Sequence, residues 1–545
     1  MRITPLGKHR DFSAIPHWQM VARLKTIPLE DGLKEEFYEL FRKWSDASGP
    51  EWAVARTKAL RDCIMQSRAH GGLTHKPEWV ATTKAGNLRG TYGKLFRVAI
   101  ASAKGFQHVL NLLMISSIWT RRTLDSNTRS EIVDQVNQAP VVRGSQQYPG
   151  SRQLRKLHAI WQTKGSAFNH QPGLKRPTRV KCKLCVPITQ VLPGKRSHVA
   201  ELGTDIFRVK ESMCYNLHPE ALRQALGGRL VIGDQDFARD RWVREALESG
   251  WPEDIVNRTV EESKNTANTI VFDDEARSSS IRKDHVGRVN YTFEPGLKTR
   301  YFAAPNVILQ RAVEPLKDAL FKVLKRLPWD CTLNQRQADD VVIGLMRKGK
   351  TVHTVDMSKA TDNFPWEYQK QVLNLVCHTR DSVTREQVGL FVDIVERGQW
   401  HLDSGRKLRR LRWGKGQPLG LGPSFPLFTL THGLVLLTLN EGLWNQEFFV
   451  LGDDVIITSD SLAEKYKKWL RTVGVDISEA KTFSSSEVGQ FAGKTYTPYG
   501  SFWTPKWNRF TRDNVLDACA WWYPGLSECF PKDRKIIDRV LSLPP

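Results

Sequence analysis

Asp356, Asp453 and Asp454 are the side chains of this sequence whose type and setting best suit chemistry. Nucleotidyl and phosphoryl transfer build negative charge on the attacking and leaving oxygens, and two metal ions about 3.5–4 Å apart are a common means of stabilising it. Magnesium keeps several of its waters and takes one or two carboxylates plus substrate phosphates. Such a site needs few acids, provided that neighbouring strands hold them. The run 351–357 (TVHTVDM) reads as a buried strand with Asp356 near its end. The run 446–459 reads as two short apolar strands around Gly452-Asp453-Asp454, a hairpin with carboxylates at its tip. The triplet alone is weak, since a chain of this length contains Gly-Asp-Asp by chance about one time in ten. Aspartates also stand together at 273–274 and 339–340, and the second pair precedes an apolar run, as charge at a helix start does.

The elements that would position these acids follow from pattern and punctuation. Helices are expected over 29–44, 51–67 and 93–120, then over 366–378, 424–440 and 461–473, the last ended near Gly474. The Pro/Gly-rich stretch 138–177 reads as loop or extended chain. Strand, helix, hairpin and helix from about 351 onward make a compact α+β unit able to present acids from adjacent strands. No repeat of 20–50 residues is visible, which excludes a solenoid or propeller.

Composition narrows the partners. The formal charge is +23, from 81 Lys+Arg against 58 Asp+Glu, and such an excess favours polyanions and salt-dependent binding. From 135 to 200 there are twelve Lys/Arg and no Asp or Glu, with Tyr148, Trp161 and Phe168 interspersed. That segment is either a solvated basic surface or a track for single-stranded RNA. The uncharged runs 105–120 and 416–440 are too short or too broken by Pro and Gly to cross a bilayer, so no membrane span is expected. Eight cysteines in 545 residues form no disulfide framework and suggest a reducing compartment. Residues 1–29 carry five basic side chains and one acid, Asp11, a bias like that of a mitochondrial presequence without its amphipathic period. Cys182, Cys185, Cys214 and His218 have the residue types of a Cys₃His zinc site, against unpaired thiols as the plainer reading.

An ordered set of motifs surrounds the acids. Asp356-Met-Ser-Lys-Ala-Thr-Asp362 resembles motif A of viral RNA polymerases, with its aspartates six apart. The run from Gly416 to Pro426, continuing to Leu430-Thr431-His432, resembles motif B, and Leu451-Gly452-Asp453-Asp454 resembles motif C. Lys481-Thr482-Phe483 is similar to motif D, 489–496 (GQFAGKTY) to motif E, and Glu294-Pro-Gly-Leu-Lys298-Thr-Arg300 to the basic motif F. The motifs span 294–496 in family order. The chain thus resembles the RNA-dependent RNA polymerases of the narnavirus, ourmiavirus and levivirus group, most closely the ourmiavirus- or narnavirus-like ones.

This resemblance implies a right-hand α+β polymerase. It would have a largely helical basic N-terminal extension (1–225), fingers (226–345), a palm (346–500) with a fingers insertion (366–411), and a short thumb (501–545). Asp356, Asp453 and Asp454 would hold two Mg²⁺ ions, with Mn²⁺ as a substitute, and Lys481 would protonate the departing pyrophosphate. Asp362 would meet the ribose 2′-OH, supported by Ser424 and by Thr431 or His432, because Phe428 stands where many relatives have asparagine. Ser424 could instead be the N-cap of its helix. Lys298 and Arg300 would grip the triphosphate, and Gly416, Gln417 and Gly420 would approach the template. The implied partners are NTPs and single-stranded RNA as template and product. The expected place is the host cytoplasm, with the mitochondrion as alternative. A reverse transcriptase or maturase would share the palm, and a non-catalytic basic RNA-binding protein would share only the charge.

Overall fold

The computed structural model describes residues 3–138 and 285–509, apart from 74–76, 85–87, 306–308, 311–312, 378–381, 404–407 and 505, together with positions 159, 247, 252–254, 256 and 257. The basic segment beyond 138, the Cys182/Cys185/Cys214/His218 set, the 273–274 aspartates and the chain from 510 onward lie outside the described residues.

The N-terminal body starts with β1 (Phe12–Ala14), α1 (His17–Thr26), α2 (Asp31–Ser48), α3 (Pro50–His70), α4 (Gly90–Ala101) and α5 (Ala103–Leu113). A 3₁₀ turn (Met114–Ser117), β2 (Trp119–Arg121) and α6 (Ser126–Val136) complete it. The expected helices over 29–44 and 51–67 are α2 and α3. The expected single helix over 93–120 is a helix pair instead. Ser102 is fully extended and caps α5, its hydroxyl accepting from the Gly105 N–H at 2.9 Å. A serine offers the backbone this alternative bond, and the helix breaks where it is taken.

Next come the hairpin β3 (His285–Glu294) and β4 (Lys298–Pro305), then α7 (Glu314–Leu324) and α8 (Asp339–Arg347). Helix α8 begins at the second aspartate pair, as a charged helix start should. Strand β5 (Val352–Thr354) is followed by a short α9 (Ala360–Asn363), α10 (Trp366–Val376), α11 (Ser382–Arg397), β6 (Gln399–Asp403) and β7 (Leu408–Leu411). Strands β4-β3-β6-β7 form one sheet, antiparallel except where β3 runs parallel to β6.

The remaining elements are α12 (Ser424–Leu439), β8 (Phe448–Leu451), β9 (Asp454–Ile457), α13 (Asp460–Thr472), β10 (Phe483–Ser485), β11 (Gly489–Phe491), β12 (Lys494–Thr497) and β13 (Gly500–Trp503). Strands β10-β5-β9-β8 make an antiparallel sheet with β5 and β9 inside it, and β11-β12-β13 make a three-stranded meander. The described chain is therefore α+β.

The β8–β9 sequence explains why its apolar residues run nearly unbroken. Phe448, Val450, Val455 and Ile457 join the large core that contains α12, while Phe449 and Ile456 join a second cluster with Val342, Met346 and Phe491. Strand side chains alternate between faces, and here both faces are covered. Helix α12 is buried at Ser424 and from Pro426 to Thr438, which is why its sequence is apolar all round rather than amphipathic. It lies tight against Trp329: a Cβ placed on Gly433 would stand 2.1 Å from Trp329 Nε1. The N-terminal helices share a third core with Phe483, Val488 and Trp507, so α3 covers β10, the edge strand of the acid-bearing sheet. Covering an edge removes unpaired backbone groups from solvent.

Replacing Gly433 with alanine should force α12 away from Trp329. Overpacking of this kind costs about 1–3 kcal/mol. Gly433→Ala should lower both the melting temperature and the urea midpoint, read by circular dichroism.

Candidate active site

The turn between β8 and β9 is a two-residue loop, Gly452-Asp453, with Leu451 paired to Asp454. Gly452 has φ +60° and Asp453 does not share the positive sign. A positive φ at the first central position alone is the pattern of a type II′ hairpin turn, where glycine fits without strain. The ring of Phe425 is 3.0 Å from where a Cβ would stand. Asp453 is exposed at the tip and Asp454 begins β9 half-buried.

The carbonyl of Gly452 is held from below. It accepts from His432 Nδ1 at 2.8 Å, and His432 Nε2 lies 2.6 Å from the Tyr466 hydroxyl. A carbonyl can only accept, so Nδ1 carries the proton and Nε2 accepts from Tyr466. Both side chains are fully buried, and burial lowers the His432 pKa to about 4, keeping the ring neutral.

Asp356 follows β5, and its backbone is pinned by the stretch before β10. Its N–H donates to Thr482 Oγ1 at 3.1 Å, and its carbonyl accepts from the Ser478 N–H at 2.9 Å. Lys481 Nζ is 3.2 Å from Asp356 Oδ2. The Asp454 carboxyl is pushed up to about 7, first by burial and then by the charges of Asp453 and Asp356, with Lys481 and the Ala492 N–H acting against the rise. The structure thus brings Asp356, Asp453, Asp454 and Lys481 into one electrostatic neighbourhood.

The chemistry of this donor set fits a divalent cation. Asp356, Asp453 and Asp454 offer hard oxygen donors, and Asp454 is driven toward protonation first by burial and then by the charges of the other two. Among the described residues no group of three or more His, Cys, Asp or Glu side chains is placed so that it could hold a metal ion by itself. Magnesium does not need one, since phosphates and water complete its shell.

Asp362, expected to face the sugar, is almost wholly buried, and burial raises its pKa. Its Oδ2 accepts from the Tyr301 hydroxyl at 2.5 Å and its Oδ1 from Trp413 Nε1 at 3.1 Å. Neither partner was anticipated. The signal for Tyr301 was present in β4, where Lys298 and Arg300 are exposed and the alternation of a strand sends Tyr301 to the other face. Nothing in the sequence singled out Trp413.

Other expected residues are placed differently. Thr431 Oγ1 bonds back to Leu427 O at 2.8 Å inside α12, and His432 points at Gly452, so neither touches Asp362. Ser424 does not cap α12: its helix has Pro423 as N-cap with no side-chain bond, and the buried Ser424 hydroxyl has no partner among the described residues. Gln417 is fully buried, donating to Gln369 Oε1 at 2.6 Å and Ser424 O at 2.8 Å. Gly416 lies against the backbone of Thr361 and Asp362, and Gly420, at φ +110°, lies against Ala303 O. These three residues join the loop before α12 to its surroundings. Arg300 is exposed and pairs with Glu294 across the hairpin at 2.8 Å, and burial followed by the Arg300 charge lowers the Lys298 pKa.

Residues 236–503 match the family model described as Mitovirus RNA-dependent RNA polymerase. That span is a viral RNA-dependent RNA polymerase segment. It holds all the motifs from Glu294 to Tyr496, and polymerases of this kind depend on divalent metal. The chain is 28% identical over 214 residues to the RNA-directed RNA polymerase of Cryphonectria parasitica mitovirus 1 (strain American chestnut tree/New Jersey/NB631), covering 38% of this chain and 25% of that relative. Two uncharacterized mitochondrial proteins of Arabidopsis thaliana are also 28% identical, over 168 and 176 residues. Each alignment covers 30% of this chain, with 79% and 65% of the respective relatives. The crystal structure of the RNA-dependent RNA polymerase of a human picorbirnavirus aligns at a TM-score of 0.32 and 14% identity, over 46% of this chain and 50% of that one. Among the described residues no helix is long and apolar enough to cross a membrane.

The buried His432 gives the polymerase segment a pH signature. In the unfolded chain the imidazole takes its proton near pH 6.5, and in the folded chain only near 4. Between these values the unfolded state binds more protons. The stabilisation is therefore complete above pH 6.5 and is lost as the pH falls toward 4, by about 3 kcal/mol. Urea denaturation across that window should show a steeper loss for the unsubstituted protein than for His432→Gln.

Proposed function

We propose that the chain copies RNA, adding ribonucleoside monophosphates to an RNA 3′-OH on a single-stranded RNA template and releasing pyrophosphate. The observation that carries this reading is the neighbourhood of Asp356, Asp453, Asp454 and Lys481 within a span that matches a polymerase family. In this reading residues 346–500 are a palm with a fingers insertion at 366–411, residues 226–345 are fingers, 1–225 an N-terminal extension and 501–545 a short thumb.

Asp356 and Asp453 would hold two Mg²⁺ ions, with Asp454 as a supporting ligand and Mn²⁺ as a substitute. When bound, the ions stabilise charge on the attacking and leaving oxygens. The chain's own side chains do the rest. Lys298 and Arg300 orient the triphosphate through charge-assisted bonds. Lys481, already beside Asp356, gives its proton to the departing pyrophosphate. Asp362 accepts from the ribose 2′-OH, with Tyr301 and Trp413 holding its carboxylate in place. The likeness to two mitochondrial proteins of Arabidopsis thaliana supports a mitochondrial location over a cytoplasmic one, to be read by fractionation of infected cells.

With a single-stranded RNA template, Mg²⁺ and labelled NTPs, the purified chain should incorporate nucleotide. Asp453→Ala should reduce incorporation by about a hundred- to a thousandfold, as loss of a preorganised charge-stabilising group does, while RNA affinity stays within about twofold of wild type. Preferred use of dNTPs, or RNA binding with no incorporation under any divalent ion, would reject the proposal.

The sugar reading has its own test. Asp362→Ala should reduce the ratio of NTP to dNTP use by about tenfold or more, the worth of a hydrogen bond to a charged group. Tyr301→Phe should move the ratio in the same direction by less. An unchanged ratio in both variants would remove Asp362 from sugar selection.

A further inference from the structure

Helix α3 runs past two segments that belong to the catalytic machinery, and it touches both with long polar side chains. Gln66 is 3% exposed, and its amide nitrogen lies 3.2, 3.0 and 3.3 Å from the carbonyl oxygens of Glu479, Ala480 and Thr482. An amide NH₂ has two hydrogens, so the three acceptors share them. Its Oε1 is 3.1 Å from His70 Nε2, one turn further along. The three carbonyls bracket Lys481, and Thr482 is the residue whose hydroxyl accepts from the Asp356 N–H.

Eight residues earlier, about 12 Å along the same helix, Lys58 donates to Gly296 O at 2.7 Å. Gly296 and Leu297 form the turn between β3 and β4, immediately before Lys298. Their two N–H groups donate to Trp119 O at 2.9 and 3.2 Å, which holds Leu297 at the positive φ of 60°. Burial, and then the charges of Arg61, Lys298 and Lys506, lower the Lys58 pKa to about 8, so this lysine sits in the same cationic field as the triphosphate-facing side chains.

A helix that only packed would present apolar side chains to these loops. Along this line α3 instead spends two costly polar groups on backbone oxygens that lie within two residues of Lys481 and Lys298. We infer that α3 is a positioning rail of the polymerase site: Gln66 fixes the loop that carries Lys481, and Lys58 fixes the turn that carries Lys298 and Arg300. Neither residue touches substrate. The inference rests on the polymerase reading and adds that the N-terminal body takes part in catalysis through two separable contacts.

The two contacts predict different kinetic signatures. Displacing a proton donor by an ångström can cost about a hundredfold in rate, whereas loosening a triphosphate grip weakens ground-state binding. In single-nucleotide extension with the full chain, Gln66→Leu should lower kcat about tenfold or more with KM for NTP within about twofold. Its deficit should shrink for NTPs bridged by β,γ-difluoromethylene compared with β,γ-methylene, because a more acidic leaving group needs the proton less. Lys58→Met should do the reverse, raising KM at least about fivefold with kcat within about twofold.

Two results would overturn the inference. One is wild-type kinetics in both variants. The other is parallel loss of kcat, NTP affinity and melting temperature in both, which marks α3 as a structural support only. Failure of the polymerase reading looks different: the unsubstituted chain then makes no product at all. An active chain that needs Asp453 but tolerates both α3 substitutions would lose the rail alone.

Discussion

Carboxylates that face one another with no cation between them repel, and the arrangement at the end of the β5–β9–β8 strands has to hold three of them together. Burial first, and then the charges of Asp453 and Asp356, push the Asp454 carboxyl up to about 7. Fixed backbone contacts hold the acids in place against that force. The β8–β9 register fixes Asp453 and Asp454, the bonds to Thr482 and from Ser478 fix Asp356, and Lys481 supplies one compensating charge.

Support for the turn comes from an element with no exposed role. Helix α12 is buried all round, and His432 reaches from it to the Gly452 carbonyl with Tyr466 of α13 behind it. A neutral ring between a hydroxyl and a carbonyl is satisfied at both nitrogens, so the chain can bury it without leaving a polar atom unpaired. The helix therefore serves as core and as anchor at once. Its apolar sequence hides the second role.

Much of this was legible in the sequence. The strand and hairpin that carry the acids, and the helix over 461–473 that ends near Gly474, follow from short-range alternation and turn chemistry, whereas Lys481 was singled out only by the family resemblance. What was not legible depends on contacts between distant segments. The break at Ser102 needed a capping bond that an uninterrupted apolar run concealed. The partners of Asp362 come from β4 and from the segment after β7, 61 and 51 residues away, and no local period encodes such a meeting. Thr431 was drawn toward the sugar by its place in a motif, yet its hydroxyl is taken by its own helix. Gln417 and Gly420 sit in a motif expected to approach the template, and the fold packs them against Gln369 and Ala303.

The seam between the two ends of the described chain bears on how the protein is made. The Trp507 N–H donates to Ser117 Oγ and its indole to Asn111 O, while Arg23 reaches Asn508 O. Those partners are separated by 390 to 485 residues. A ribosome therefore releases the whole N-terminal helical body long before the residues that seal its core exist. During that interval the face awaiting Phe483, Val488 and Trp507 is bare apolar surface, the kind of surface that aggregates or recruits chaperones. Contacts of such long range also close slowly, because loop-closure entropy is lost before they form. A nascent chain that stops short of Trp507 therefore lacks a residue that completes this core.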